Sequence, residues 1–465
     1  MSDRPNILWY CTDQQRFDTI GALGNPYVRT PVLDSLVHEG TAFTHTYCQS
    51  PICTPSRSSF MSGLYPSRVH STRNGNDTFP AWPPVITKLI ADAGYTCGLV
   101  GKFHLQSSGK RTEPRIDDGF SYWKFSHAPR DDWEEGHDYA DWVKEQGGDL
   151  DALRQSEDRV PTELHQTTWG SERSIEFIRQ DHEQPWLLNV NVYDPHPPFT
   201  PPRSYAEQFD PADMPGPHFK ESDLEAQAKL AVCDFQDEIR TPEEHDAKGA
   251  QARYYAMIAQ IDDQFGRILA ALDETGQRDN TVIIFTSDHG ETLGDHGLMY
   301  KGCRFYEGLV RVPLIISWPQ RFARNKQSDA LVEMLDLSAT LLDLAGVEEP
   351  DYLQGISLCA ILTGDSDGKG HREFVRSEYF DALDPHFTGG SGTFATMHRT
   401  RQHKLCVYHG KLVGELFDLE NDPWEHDNLW DDPNHATVKN QLLAESFDAH
   451  VLLTTDMGSK RIAPM

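Results

Sequence analysis

The sequence predicts an α/β fold: a large, mostly parallel central sheet flanked by helices, followed by a small C-terminal α+β subdomain with an antiparallel sheet. Three observations carry this. Short apolar runs alternate with helical segments through most of the chain, as in sheets covered on both faces. Polar clusters follow the ends of those runs, where open α/β sheets place their sites. From about residue 370 the alternation gives way to closely spaced β-like runs. A chain of 465 residues suits one large and one small domain, divided here as 1–365 and 366–465.

The elements follow in order. Asn6-Ile7-Leu8-Trp9-Tyr10-Cys11 reads as a buried strand running into the polar Thr12-Asp13-Gln14. Thr30-Pro31 opens a helix, with threonine as N-cap and proline at the first helical position, and Gly40 closes it. Residues 84–93 form a helix stopped by Gly94, and 95–100 form the next strand. A helix over 171–180 precedes a strand over 186–192. The clearest helix spans 254–272, with Tyr254, Ile258, Ile261, Phe265, Ile268 and Leu272 on one face and Gly276 beyond its end. It feeds an apolar strand over 281–286, and a helix follows over 330–345. Strands over 373–379, 404–408 and 415–418 and a final helix over 436–448 make the subdomain. Residues 203–247, polar and rich in turn formers, read as a surface excursion. The acidic aromatic stretch from Asp131 to Trp142 reads as a solvated helix face, or else as the lining of a mouth that selects a cationic or aromatic leaving group.

The formal charge is −30, from 42 Lys and Arg against 72 Asp and Glu. Such a field repels nucleic acid and anionic membrane, so neither is an expected partner. A small anionic substrate must then be drawn in by local positive charge. The opening apolar run is too short for the core of a signal peptide, and no stretch is long enough to span a membrane. The eight cysteines (11, 48, 53, 97, 233, 303, 359, 406) are scattered without metal-type pairs. A cytoplasmic, thiol-reduced protein is expected, and a homo-oligomer is compatible with everything above.

Two groups of residues suggest chemistry. Asp13-Gln14 and Asp288-His289 each put a carboxylate and a second donor just after a predicted strand, a pattern suited to a divalent cation. Oxygen donors favour calcium or magnesium; the histidine shifts the balance to manganese. Taken alone, an Asp-His pair at a strand end is more often a surface turn. Lys102 and His196 also follow predicted strands, so four separate segments would converge on one sheet edge. Singly, these residues have ordinary explanations: Lys102 a solvated lysine, His104 a half-buried histidine, His196 an ordered loop, Asn74-Gly75 a turn. His70, Asp295 and His296 read as structural. The second group is Cys53-Thr54-Pro55-Ser56-Arg57. A cysteine-phosphatase cradle needs Cys-x5-Arg, and Ser59 at that place excludes it.

Cys53–Arg57, with Ser62-Gly63-Leu64-Tyr65-Pro66-Ser67-Arg68 behind it, resembles the signature of formylglycine-dependent sulfatases of the alkaline phosphatase superfamily. The likeness covers the N-terminal three quarters. It includes Gly101-Lys102-Phe103-His104, Asp194-Pro195-His196-Pro197-Pro198, the run Ser287–Gly297 and Met299-Tyr300-Lys301-Gly302. Leu416-Phe417-Asp418 resembles the family's C-terminal segment. The resemblance implies an alkaline phosphatase-like fold and hydrolysis of sulfate monoesters of the arylsulfatase type. It implies that a maturation enzyme converts Cys53 to formylglycine, whose hydrated diol attacks sulfur and later expels sulfate. It further implies Arg57, Lys102, His104, His196 and Lys301 as catalytic residues. Asp13, Gln14, Asp288, His289 and residue 53 would bind one divalent metal ion, Ca2+ or Mn2+.

Two departures matter. Gln14 stands where many sulfatases have a second Asp, and His289 where they have Asn. Both, with Asn74 as a substrate-contacting amide, resemble the choline-sulfatase and phosphonate monoester hydrolase branch, whereas Lys102 and His104 lean towards true sulfatases. The alternative function is therefore a phosphonate monoester or phosphodiester hydrolase with the same nucleophile. A silent member that keeps Cys53 unmodified is a third reading. A phosphatase with a Ser or Thr nucleophile is disfavoured because position 53 is Cys.

Overall fold

The computed structural model describes residues 4–108, 112–131, 136–156, 159–383 and 392–454. Its main sheet has nine strands: β1 Asn6–Thr12, β2 Thr41–Tyr47, β3 Thr96–Gly101, β4 Phe120–Phe125, β5 Trp186–Asn191, β6 Thr281–Ser287, β7 Arg311–Val312, β8 Leu314–Ser317 and β9 Lys326–Glu333. The order is β4-β3-β5-β1-β6-β8-β2-β7, with β9 pairing to β2. From β4 to β6 every neighbour is parallel. β8 runs antiparallel to both β6 and β2, so the sheet is mixed but mostly parallel. Successive side chains of a strand point to opposite faces. Accordingly Ile7, Trp9 and Cys11 of β1 join one buried cluster while Leu8 and Tyr10 join the other. A strand buried on both faces must be apolar throughout, as the 6–11 run is.

The helix expected over 254–272 extends over Ala247–Glu274, and that over 171–180 begins earlier, at Gln166–Ile178. Residues 330–345 are not one helix: Lys326–Glu333 is strand β9, and only Asp336–Ala345 is helical. Ala330-Leu331-Val332 finds backbone partners along β2, and that pairing overrides its helical spacing. The excursion 203–247 is only partly at the surface. Its helix Glu221–Lys229 buries Asp223 and Gln227, and Gln227 bonds Tyr306 and Arg304. In the acidic aromatic stretch, Asp132, Trp133, Glu134 and Glu135 lie outside the described residues. The helix Asp138–Glu145 that follows is not merely a solvated face, because it buries Tyr139 and Val143.

The second sheet, β10 Phe374–Phe380, β11 Phe394–Thr400, β12 His403–Tyr408 and β13 Val413–Asp418, is antiparallel throughout. The helix Ala436–Ala449 packs on it through Leu442 against Leu405 and Leu416. A buried ion pair ties the second sheet to the helix that precedes β7, with Lys404 of β12 reaching Glu307 at 2.8 Å, and Lys404 also pairs with Glu425 at 2.6 Å. The eight cysteines are unpaired. Among the described residues no helix is long and apolar enough to cross a membrane.

Candidate active site

Four neighbouring parallel strands, β3-β5-β1-β6, end on the same edge, and each delivers polar residues there. β1 leads into Asp13 and Gln14, β3 into Lys102 and His104, β5 into Asp194 and His196, and β6 into Asp288 and His289. Gly101 has φ 100°, and a Cβ on it would strike the Asn191 carbonyl, so only glycine lets the chain turn Lys102 inward. Cys53 starts the helix Cys53–Ser62, whose N-terminal amides favour negative charge. Arg57 lies one turn further on the same face.

The side chains meet around the Cys53 sulfur. His289 Nε2 is 3.1 Å from Sγ, Lys301 Nζ 2.9 Å and Asp13 Oδ1 3.8 Å. Arg57 donates from Nε to Asp288 Oδ2 at 2.8 Å and from Nη1 to the Lys102 carbonyl at 3.1 Å and Asn191 Oδ1 at 3.2 Å. Lys102 pairs with the Asp13 carboxylate. Lys301 donates to Gln14 Oε1 at 2.8 Å. His104 meets His127 edge-on, with ring centroids 4.4 Å apart. His196 is half-buried at the opening, its ring tilted 42° against Tyr193 with centroids 4.6 Å apart, and its Nδ1 donates to the Pro197 carbonyl at 2.6 Å. That bond leaves Nε2 to face the site. Asn74 sits at the helix start, where its Oδ1 accepts the Thr54 amide at 2.9 Å.

The donor set fits a divalent cation. Asp13, Cys53, Asp288 and His289 each offer a ligand atom, all within 4.8 Å of one another and all buried. His289 Nδ1 donates to the Gly290 carbonyl at 2.8 Å, which leaves Nε2 with its lone pair towards the centre. Gln14 Nε2 is committed to Glu291, so Oε1 is the atom turned inward. The two buried carboxylates are paired with Arg57 and Lys102, and their remaining lone pairs can bind a cation.

Electrostatics follow from this crowding. Burial raises the Cys53 thiol, but Lys102, Lys301 and His289 outweigh it and hold the thiol well below its ordinary range. Burial and the Cys53 sulfur raise the Asp13 carboxyl, yet Lys102, His196 and Arg57 hold it below the usual carboxylate range. Burial and Lys102 push the His104 imidazole down to about 3, and burial and Lys301 lower His196. His289 is raised because Asp288 outweighs the burial that would lower it.

Several residues that complete the site carry no motif of their own. Glu113 accepts the amides of His104, Leu105 and Gln106 at 2.6, 2.6 and 2.8 Å. Asn191 and Tyr193 brace Arg57 and Lys102. Glu291, which orients Gln14, lies within the quoted Ser287–Gly297 run, so its position was visible although its role was not. His70 is exposed, Asp295 pairs with Arg16 at 2.8 Å, and His296 faces Asp223 at 3.5 Å; none of the three reaches Cys53.

A family model described as Sulfatase matches residues 5–347, most of the chain. The chain belongs to the sulfatase family. That family comprises sulfuric ester hydrolases on an alkaline phosphatase-like fold. A second model, for the C-terminal part of N-sulphoglucosamine sulphohydrolase, matches residues 294–450. Among relatives, an arylsulfatase of Clostridium perfringens (strain 13 / Type A) is 30% identical over 452 residues, covering 92% of this chain and 90% of that protein. A choline-sulfatase of Rhizobium meliloti (strain 1021) is 27% identical over 475 residues, covering 96% and 89%. The structure of a phosphonate monoester hydrolase of Agrobacterium radiobacter superposes with a TM-score of 0.83 at 26% identity, covering 97% of this sulfatase-family chain and 96% of that one.

Proposed function

We propose that the protein hydrolyses sulfate monoesters of the arylsulfatase type, using formylglycine at position 53 and one divalent cation. One observation carries the reading: a cysteine at a helix N-terminus sits among Arg57, Lys102, Lys301, His289 and two buried carboxylates. Matured by a formylglycine-generating enzyme, residue 53 would supply a geminal diol, one hydroxyl to attack sulfur and the other to expel sulfate. Asp13, Gln14, Asp288 and His289, with residue 53, would hold Ca2+ or Mn2+, which when bound supplies Lewis-acid polarisation of a sulfate oxygen. The remaining work falls to the chain's own side chains. Lys102 and Lys301 meet the sulfate oxygens where negative charge builds, and Arg57 fixes Asp288 and the start of the helix. His196 gives a proton to the departing alcohol; its lowered pKa rises again when the sulfate's charge arrives. His104, neutral at ordinary pH, takes the proton from the second hydroxyl as sulfate leaves. Asn74 holds the Thr54 amide in place and borders the substrate. Residues 1–365 form the catalytic unit and 366–465 the smaller subdomain. The substrate is a small anionic ester met in the cytoplasm.

The second reading, hydrolysis of phosphonate monoesters or phosphodiesters with the same nucleophile, is favoured by Gln14 and His289 and by the likeness to a phosphonate monoester hydrolase. Two measurements test both. The intact mass of the peptide holding residue 53 should be lower by roughly 18 Da than the cysteine form. Steady-state assays over matched sulfate, phosphate and phosphonate esters should give the highest kcat/KM for sulfates. A preference for phosphonates or diesters transfers the function to the second reading, and an unmodified, inactive Cys53 refutes both. Cys53→Ala should lose several orders of magnitude of activity with the fold intact.

A further inference from the structure

Among the described residues a second cluster has the donor chemistry of a metal site, away from Cys53. Asp223 comes from the helix Glu221–Lys229, His296 from the loop that follows Asp288, and His426 from the turn after Trp424. One ligand atom from each lies within 4.8 Å of the other two. His426 Nδ1 is 3.2 and 3.1 Å from the two Asp223 oxygens, and His296 Nδ1 is 3.5 Å from Asp223 Oδ1. Ligand atoms placed tetrahedrally at about 2.0–2.2 Å from a zinc ion stand about 3.4 Å apart. The separations from Asp223 are therefore already those of a shared ion.

We propose that Asp223, His296 and His426 bind a zinc ion, with water in the fourth position, that fastens the C-terminal segment to the loop leading to Lys301. Two imidazoles and one carboxylate are a zinc donor set. All three side chains are held before any ion arrives. Asp223 accepts the Lys220 amide at 2.8 Å, which fixes the carboxylate. The His296 ring stacks on Tyr306, with centroids 3.8 Å apart, and Tyr306 in turn bonds Glu415 at 2.7 Å. His426 follows Glu425, whose carboxylate is tied to the Glu307 amide at 2.7 Å and to Lys404 at 2.6 Å. Asp223 and His296 are buried and His426 keeps an exposed edge, so an ion could enter from one side. The site is independent of the proposed sulfatase chemistry, because none of its residues touches Cys53.

The test strips the full-length protein with a chelator, reloads it with zinc alone, removes the excess, and counts zinc per chain. Wild type is compared with His426→Ala and with Asp223→Asn, which keeps its shape and its hydrogen bond from Lys220. Each variant is expected to hold one equivalent fewer than wild type, whether or not the Cys53 centre also takes zinc. Zinc should also raise the Tm of stripped wild type more than that of either variant. Circular dichroism checks that the variants are folded, and if one is not, the other gives the answer. Equal zinc content in wild type and a folded variant overturns the proposal, and the three side chains are then joined by hydrogen bonds alone.

Discussion

Replacing Glu113 tests how the His104 loop is held. Its carboxylate is buried, with Oε2 accepting the His104 amide and Oε1 accepting those of Leu105 and Gln106. His104 itself sits in the left-handed region at φ 57°, which a non-glycine residue adopts at a cost of about 1 kcal/mol. The three bonds to Glu113 offset that cost. In Glu113→Gln one end of the side chain becomes an NH2 group and faces an amide, so at least one donor loses its acceptor. Burial raises the Glu113 carboxyl to about 7 against the three amides that lower it, so it is only partly ionised near neutral pH. A buried amide left without its acceptor costs about 1–3 kcal/mol, which is the stability the variant should lose. Glu113→Ala strands three buried amides at about 1–3 kcal/mol each, comparable to a typical total stability of about 5–15 kcal/mol, and should not fold well. Urea denaturation measures the first number, and kcat on an alkyl sulfate measures how well His104 is still placed. A Glu113→Gln midpoint within about 0.5 kcal/mol of wild type refutes the anchoring argument. Lost stability with unchanged kcat refutes the link to His104.

Asp288→Ala should abolish retention of the catalytic cation, as read by elemental analysis; a full equivalent kept at that centre would exclude these ligands. His196→Ala should slow esters of poorly acidic alcohols by ~10²–10⁴-fold more than activated aryl sulfates, whereas His104→Ala should show no such dependence on the leaving group. A histidine whose loss costs the same factor for every leaving group is not the acid. Asp336 is buried, and burial would raise its carboxyl, but Arg372 at 2.9 Å and His371 at 3.1 Å hold it well below the ordinary range. Its stabilisation is therefore present above about pH 4, its unfolded value, and is lost as pH falls towards the lower folded value. Wild-type stability should drop there by up to about 1.4 kcal/mol per pH unit more steeply than that of Asp336→Asn. Parallel acid-side denaturation curves would show that Arg372 does not lower Asp336.

Much of this protein was legible because the relevant physics is local. Strands β1, β3, β5 and β6 are largely apolar on both faces, as strands covered on both sides must be. The residues just past those strands were legible as a site for the same reason, since parallel strands end together on one edge. Strands β2, β4, β7, β8 and β11 were not legible because they are short or mixed in polarity, and β9 because Ala330-Leu331-Val332 fits a helix equally well. Their identity rests on which backbone lies alongside, which no local spacing encodes.

The site divides in the same way. Covalent order alone set Cys53 and Arg57 one helical turn apart, and put Asp13 and Asp288 at strand ends. Tertiary structure alone decided that Glu113 would hold His104, that Glu291 would turn the Gln14 amide, and that Asp223 would meet His426 across 203 residues of chain. A hydrogen bond is made only at about 3 Å and in one direction. The sequence therefore determined which groups could take part, and the packing of distant segments determined which of them came within reach.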